Sequence, residues 1–416
     1  MCKICHCGLF ARCDLSDSLI GELPKIILRG KRVAQRILDD ISSENRITLQ
    51  TNEFVLPTKA ASGLSEYFGQ STKESHDQKW TNRMIYGDNL LAMQALLAGD
   101  PKTGLSSMRG KIDLIYIDPP FDSKADYRTK IHLPNTDIEQ QPRVIEQFAY
   151  ADTWKDGTVS YLEMMIVRLI LMKELLSEKG SIYIHIDWHV GHYVKIIMDE
   201  IFGRDHFVNE IIWHYIIGAS GNSTFGRKHN TIFWYSKTDN YIFNRDAIAV
   251  PYNPETIARA KRGEARYSVD ATDLEKKGKN PGDVWSDLHP IQGNSIENVQ
   301  FPTQKPKALL KRILLASSNP DSIVADFFAG SGSLGSVAEE NNRKWILADL
   351  GKPAFMIMRK RLIDQESKPF LYHSIGDYQK EQFEQSFKGT ISDLAHVVVN
   401  LYGALPFPAQ EGNPNN

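Results

Sequence analysis

Ser322-Ile323-Val324-Ala325-Asp326-Phe327-Phe328-Ala329-Gly330-Ser331-Gly332-Ser333-Leu334-Gly335 leads through a helical run ending near Asn341 into Lys344-Trp345-Ile346-Leu347-Ala348-Asp349. The spacing predicts strand Ser322–Phe328, a glycine-rich turn, helix Leu334–Asn341 and strand Lys344–Asp349. Glycine lets the turn approach a ligand closely, and the helix that follows offers free N–H groups at its start. An acid ending the next strand, Asp349, has the position that accepts ribose hydroxyls in nucleotide-binding α/β sheets. The turn alone also reads as plain helix-on-strand packing, and its GxGxxG spacing alone is equally compatible with a dinucleotide dehydrogenase. A dehydrogenase needs further βαβ units after the turn, and the chain after Gly335 is too short for them. The missing strands must lie upstream.

Upstream they are legible. Met84–Tyr86 reads as a strand, Gly87-Asp88-Asn89 as a turn, and Leu90–Leu97 as a helix with Asn89 as its cap. Ile112-Asp113-Leu114-Ile115-Tyr116-Ile117 is dense in β-branched and apolar residues, as expected of a strand buried on both faces. A helix over Ser160–Lys179 stopped by Gly180, a strand over Ser181–Asp187 and a helix over Val190–Phe202 continue the alternation. Phe207–Tyr215 and Thr231–Tyr235 read as strands. After a long turn-rich and charged segment, helix Lys307–Ser317 leads into the glycine-rich strand, and helix Pro353–Leu362 follows it. The expected fold class is an α/β, Rossmann-like layered sheet whose cofactor half comes last in the chain.

The whole composition agrees. The chain has 416 residues, 42% hydrophobic and 24% charged, with Lys+Arg 49 against Asp+Glu 51, which excludes a disordered or uniformly basic protein. No run reaches the roughly 20 apolar residues of a membrane helix, and the start lacks a signal-peptide core. A soluble, cytoplasmic protein without membrane partners is expected. All four cysteines, Cys2, Cys5, Cys7 and Cys13, fall in the first 13 residues beside His6, a spacing unlike the usual paired zinc knuckles. His185, His189 and His192 cluster near a strand–helix junction. No metal is expected at either place, and His185 reads as a packed strand residue.

Asp118-Pro119-Pro120-Phe121 ends the buried strand, at the sheet edge where open α/β folds bind ligands. Two prolines fix the backbone and remove two donors. The Asp118 carboxylate and the Pro119 carbonyl then form a rigid acceptor pair suited to a planar –NH2, and Phe121 offers a face for a ring. This suits alkylation of an exocyclic amine. Accepting both N–H bonds localises the nitrogen lone pair, and the carboxylate stabilises the positive charge that develops. A base buried in a duplex must be flipped out to reach such a site.

With these residues the chain resembles the amino-group DNA methyltransferases that use S-adenosylmethionine. Asp118–Phe121 is similar to their catalytic DPPF box, Phe328–Gly332 to their FxGxG cofactor motif, and Thr303-Gln304-Lys305-Pro306 to the TQKP segment. The order is that of the circularly permuted β class. Trp285-Ser286-Asp287 and Tyr235-Ser236-Lys237 resemble the modification (Mod) subunits of type III restriction–modification systems. The resemblance covers about residues 80–365. It implies a methyl-transfer site at Asp118, Pro119, Pro120 and Phe121, and a cofactor pocket lined by Phe328, Gly330 and Gly332. Asp326 would approach the methionine part of the cofactor, Asp349 the ribose and Asp88 the adenine. Thr303 and Lys305 would close over the methionine carboxylate. An acid at the first position of the box favours adenine-N6 over cytosine-N4. Double-stranded DNA, a second copy of the chain and a restriction subunit are the partners implied. A cytosine-N4 enzyme and an inactive DNA-binding specificity subunit are the alternatives.

The expected organisation is an N-terminal extension (1–80), a catalytic half (81–215), a target-recognition insert (216–300), a cofactor half (301–366) and a C-terminal tail (367–416). Residues 216–312 carry 15 Lys/Arg against 10 Asp/Glu, a positive stretch on an acidic body. Arg227-Lys228, Lys261-Arg262 and Lys276-Lys277 are candidate phosphate contacts, with Trp234, Tyr252 and Tyr267 interleaved. Gly218–Gly226 is a candidate loop near the flipped base.

Overall fold

The computed structural model describes residues 18–41, 47–57, 80–100, 105–120, 129–133, 136–140, 157–215, 222–264 and 271–375. The cysteine cluster, Phe121, Tyr267, the start of the 218–226 loop and the tail from 376 lie outside the described residues. In chain order the elements are α1 (Leu19–Asp40), β1 (Gln50–Val55), β2 (Asn82–Tyr86), α2 (Asn89–Ala98), β3 (Ile112–Ile117), β4 (Thr129–Leu133), β5 (Thr136–Gln140), α3 (Thr158–Leu175) and β6 (Leu176–Ile186). There follow α4 (Gly191–Phe202), β7 (Phe207–His214), β8 (His229–Ser236), α5 (Pro254–Lys261), α6 (Ala271–Lys277), β9 (Val284–Trp285), α7 (Lys307–Ser317), β10 (Ile323–Asp326), α8 (Ser333–Glu340), β11 (Lys344–Asp349), α9 (Lys352–Asp364) and β12 (Phe370–Ser374).

Ten strands form one sheet in the order β1-β12-β2-β11-β10-β3-β6-β8-β7-β9. The six from β12 to β6 run parallel, β1 and β8 are antiparallel to their neighbours, and β7 runs with β6. The strands of residues 323–349 are thus inserted between those of residues 82–86 and 112–117. Alternate side chains divide between two cores, as period-2 strands require. Ile85, Ile115, Ile117, Ile184 and Ile346 face one core, under α2, α3 and α4, with the buried side of α1 on the same side. Met84, Leu114, Tyr116, Trp345 and Leu347 face the other, under α7, α8 and α9.

This division positions the site. Between β3 and β6, helix α3 lies on the first face, and between β10 and β11, helix α8 lies on the opposite face. β3 and β10 are hydrogen-bonded neighbours whose connections leave in opposite directions. Their carboxyl ends therefore flank a crevice, the usual ligand position in an open α/β sheet.

Four local details differ from the sequence reading. The cap of α2 is Asp88, whose carboxylate accepts the Leu90 N–H at 2.8 Å, and Asn89 is the first helical residue. Helix α3 ends at Leu175 and not at Lys179. Gly180 lies within β6, where a Cβ would stand 2.9 Å from the Ile112 carbonyl oxygen, so this glycine serves strand approach and not helix termination. Phe370–Ser374 forms β12, and Gln50–Val55 pairs with it to close that end of the sheet. Among the described residues no helix is long and apolar enough to cross a membrane.

Candidate active site

Asp118 follows β3 directly and meets Lys305 from the other half of the chain. Their side chains form a close ion pair, with only 12% and 15% of the Lys305 and Asp118 side chains exposed. Lys305 Nζ also donates to the Thr303 carbonyl at 3.3 Å. The second carboxylate oxygen of Asp118, Oδ1, is buried and has no hydrogen-bond partner among the described residues. Burial pushes the Asp118 carboxyl above the usual carboxylate range, and the Lys305 ammonium pulls it back. The Thr303–Pro306 segment is held by its own glutamine. Gln304 accepts the Val299 N–H at 2.9 Å and donates to the Glu297 carbonyl at 2.7 Å. Pro306 then caps α7 with extended backbone.

The neighbouring strand ends supply two more carboxylates. Asp326 is buried at the end of β10 and accepts the Phe328 N–H at 2.9 Å. Burial raises its pKa well above the ordinary value. The Phe328 N–H opposes this, while the charges of Asp118 and Asp349 add to it. Asp349, ending β11, accepts the Gly330 N–H on Oδ2 and the Gly351 N–H on Oδ1, both at 2.7 Å. Asp349 thus ties the glycine-rich turn to the next strand. Gly332 caps α8 in the left-handed region at φ +71°, and a Cβ there would stand 2.5 Å from Met358 Cγ of α9. Its role in the structure is close packing of two helices. Gly330 lies opposite the Phe301 ring.

Asp88 is drawn into a different set of contacts. Besides capping α2, its Oδ1 accepts Arg168 Nη2 at 2.8 Å. Arg168 Nε donates to Asn89 Oδ1 at 2.6 Å, and Asn89 Nδ2 donates to the Phe327 carbonyl at 2.7 Å. The chain's first half thereby grips the glycine-rich turn of the second. Sequence reasoning missed Asn89 and Arg168 in this role. The available signal was Arg168 itself, a charge inside an otherwise apolar helix, which burial obliges to find partners. It also missed buried Arg361, whose Nη1 donates to Ser333 Oγ at 2.7 Å and to the Ser331 carbonyl at 3.3 Å. No sequence signal separates Arg361 from its neighbours Arg359 and Lys360.

Among its described residues the charged segment has several of its cations paired. Lys261 pairs with Glu275, Arg262 with Glu255 and Glu264, and Lys277 with Asp273. Trp234 is withdrawn from any partner surface. It is 5% exposed and stacks on Tyr183 at 5.2 Å. Arg227 instead lies over the ring of half-exposed Trp188 at 3.8 Å, beside the carboxyl end of β6. Because β7 runs with β6, the β7–β8 connection leaves from the same sheet edge as Asp118. In the Trp285–Asp287 segment, Arg312 of α7 makes a two-pronged ion pair with Asp287 and covers the Trp285 ring.

The family model N6_N4_Mtase, described as DNA methylase, matches residues 112–360, from β3 through most of α9. The type II methyltransferase M.EcaI of Enterobacter cloacae is 30% identical over 340 residues, covering 67% of this chain and 69% of that protein. The DNA adenine methyltransferase YhdJ of Escherichia coli (strain K12) is 28% identical over 272 residues, covering 65% of this chain and 82% of that protein. The Mod subunit of the type III restriction–modification enzyme StyLTI of Salmonella typhimurium is 26% identical, and the matched part spans 63% of this chain and 49% of the subunit. With the family match running through both flanks of the crevice, the chain belongs to the N6_N4_Mtase family of DNA methylases.

Proposed function

We propose that the protein transfers a methyl group from S-adenosylmethionine to the N6 amino group of adenine in double-stranded DNA. The observation that carries this reading is the buried Oδ1 of Asp118, without a hydrogen-bond partner among the described residues, on a proline-fixed strand end. An unsatisfied buried acceptor is costly unless a ligand donor meets it. An exocyclic –NH2 supplies that donor, and the Pro119 carbonyl on the same rigid segment would take its second N–H. Asp118 then stabilises the charge that grows on the nitrogen. Phe121, following on the chain, would stack on the flipped base.

The three carboxylates at the ends of β3, β10 and β11 suit a ligand that carries an ammonium, a sulfonium and two ribose hydroxyls. In this reading Asp349 takes the hydroxyls and Asp326 faces the cationic methionine end. Phe328, Gly330 and Gly332 line the pocket, Thr303 and Lys305 hold the carboxylate, and Asp88 lies toward the adenine. When bound, S-adenosylmethionine supplies an electrophilic methyl group. The residues of the chain exclude water, align the amine and hold the charge.

Residues 81–215 and 301–366 form, on this reading, one permuted β-class domain, with 216–300 as the target-recognition insert. The likeness to a Mod subunit supports modification within a restriction system, with a second copy and a restriction subunit as partners. The test is product analysis. The protein is incubated with mixed-sequence duplex DNA and methyl-labelled S-adenosylmethionine, and the DNA is digested to nucleosides and weighed. Labelled N6-methyladenine is expected. Labelled N4-methylcytosine would move the target to cytosine, and no labelled nucleoside would count against transfer.

A further inference from the structure

Beneath Asp118 four polar side chains link three strands and the first residue beyond a fourth. Tyr116 lies two residues before Asp118 on β3, and its hydroxyl is 2.8 Å from His185 Nδ1 on β6. His185 Nε2 is 3.0 Å from Asn230 Nδ2 on β8. Tyr215, just past the end of β7, donates its hydroxyl to Asn230 Oδ1 at 2.9 Å. Tyr116 and His185 are fully buried, and one step past the Ile117–Ile184 pair His185 is level with Asp118.

The bonds have a direction. The Asn230 amide accepts from Tyr215 on oxygen, so its nitrogen donates to His185 Nε2. Burial, with Lys305 nearby, pushes the His185 pKa well below its usual value, so the ring is neutral and its one proton sits on Nδ1. His185 Nδ1–H then donates to the Tyr116 oxygen. The Tyr116 proton is left to point away from His185, in a region where Asp118 and Asp326 are the charges acting on it. At its other end the chain starts where the β7–β8 connection begins, anchored by the Tyr215 N–H on the Lys228 carbonyl at 2.8 Å.

We propose that Tyr215, Asn230, His185 and Tyr116 form a directional hydrogen-bond chain of positioning residues, which sets the end of β3 and its Asp118 according to how the strand ends at Tyr215 and Lys228 are held. The proposal rests on the methyltransferase reading. Contact of DNA with those strand ends would then be felt at the methyl-transfer site through buried polar groups.

The test is a double-mutant cycle on full-length protein with Tyr116→Phe and Tyr215→Phe, the two ends, which do not share a partner. Transfer is measured at saturating cofactor, with cofactor binding and thermal melting alongside. Each single change is expected to lower kcat about tenfold, and the pair no more than about tenfold, because either cut breaks the same chain. Cofactor affinity should stay within about twofold of wild type. Effects that multiply to about a hundredfold, or kcat unchanged in both single variants, would overturn the coupling. The ring is read independently by nitrogen NMR of His185. A neutral ring protonated on Nδ1 between about pH 6 and 8, perturbed by Tyr215→Phe, is expected. Protonation on Nε2 or a charged ring would overturn the chain. This arm decides the hydrogen bonds even if the wild type transfers no methyl group, an outcome that would instead count against the proposed function.

Discussion

Lys305→Met removes the only charge paired with the buried Asp118 carboxylate among the described contacts of that group. Taking one partner from a buried ion pair costs about 3–5 kcal/mol. With 12% and 15% of the two side chains still exposed, the lower end applies. The abandoned carboxylate can relieve that cost by taking up a proton. At 1.36 kcal/mol per pH unit, about 3 kcal/mol corresponds to an upward shift of about two units in its pKa. In the proposed transfer Asp118 must be ionised to accept its N–H bond and hold the charge that grows on the nitrogen, so the acid limb of the rate profile should move about two units toward higher pH. The assay is single-turnover methyl transfer at saturating cofactor across the pH range, with Lys305→Arg as the charge-keeping control. An acid limb unmoved within about half a unit, with only the cofactor KM raised, would refute the pairing argument and assign Lys305 to the cofactor alone.

Other consequences follow from the same geometry. Gly332→Ala forces an L side chain to φ +71° with its Cβ 2.5 Å from Met358 Cγ. It should destabilise by at least about 2 kcal/mol in denaturant titration, and a change below about 0.5 would contradict the packing role. Asp326 is held above its usual pKa mainly by burial, so the folded state binds more protons than the unfolded chain between the ordinary and the raised value. Stability therefore falls as pH rises through that window, and Asp326→Asn should melt higher than wild type at pH 8 by at least about 2 °C. The advantage should fade toward about pH 4, and an offset equal at both pH values would contradict it. Asn89→Ala leaves the Phe327 carbonyl and Arg168 without a shared partner. A loss of about 1–3 kcal/mol is expected, together with weaker cofactor binding measured by calorimetry.

The sheet was legible where strands are buried on both faces. Ile112–Ile117 and Lys344–Asp349 have the bounds read from sequence, because interior parallel strands covered on both faces read as dense apolar runs. Helix Lys307–Ser317 was equally clear from its apolar stripe. Edge strands were not. Gln50–Val55 is mostly exposed and polar, and pairing with β12 is what holds it. Gly180 misled because one residue type serves both helix ends and close strand contacts. At the site, the strand-end acids could be named from position alone. Their linkage could not. Lys305 meets Asp118 across 187 residues of sequence, and Asn89, Arg168 and Arg361 acquire their roles only when the two halves close on each other. Trp234 illustrates the converse, an aromatic in a charged segment that belongs to the core.

On the proposed function Asp118 acts on the target amine and not on cofactor binding. Asp118→Asn keeps the shape of the side chain and removes its charge. S-adenosylmethionine binding by calorimetry and methyl transfer to duplex DNA should be measured on this variant beside wild type. Wild-type transfer to adenine, with binding retained and transfer lost in the variant, is the predicted result. Full transfer by the variant, or loss of binding and transfer together, would contradict the assignment.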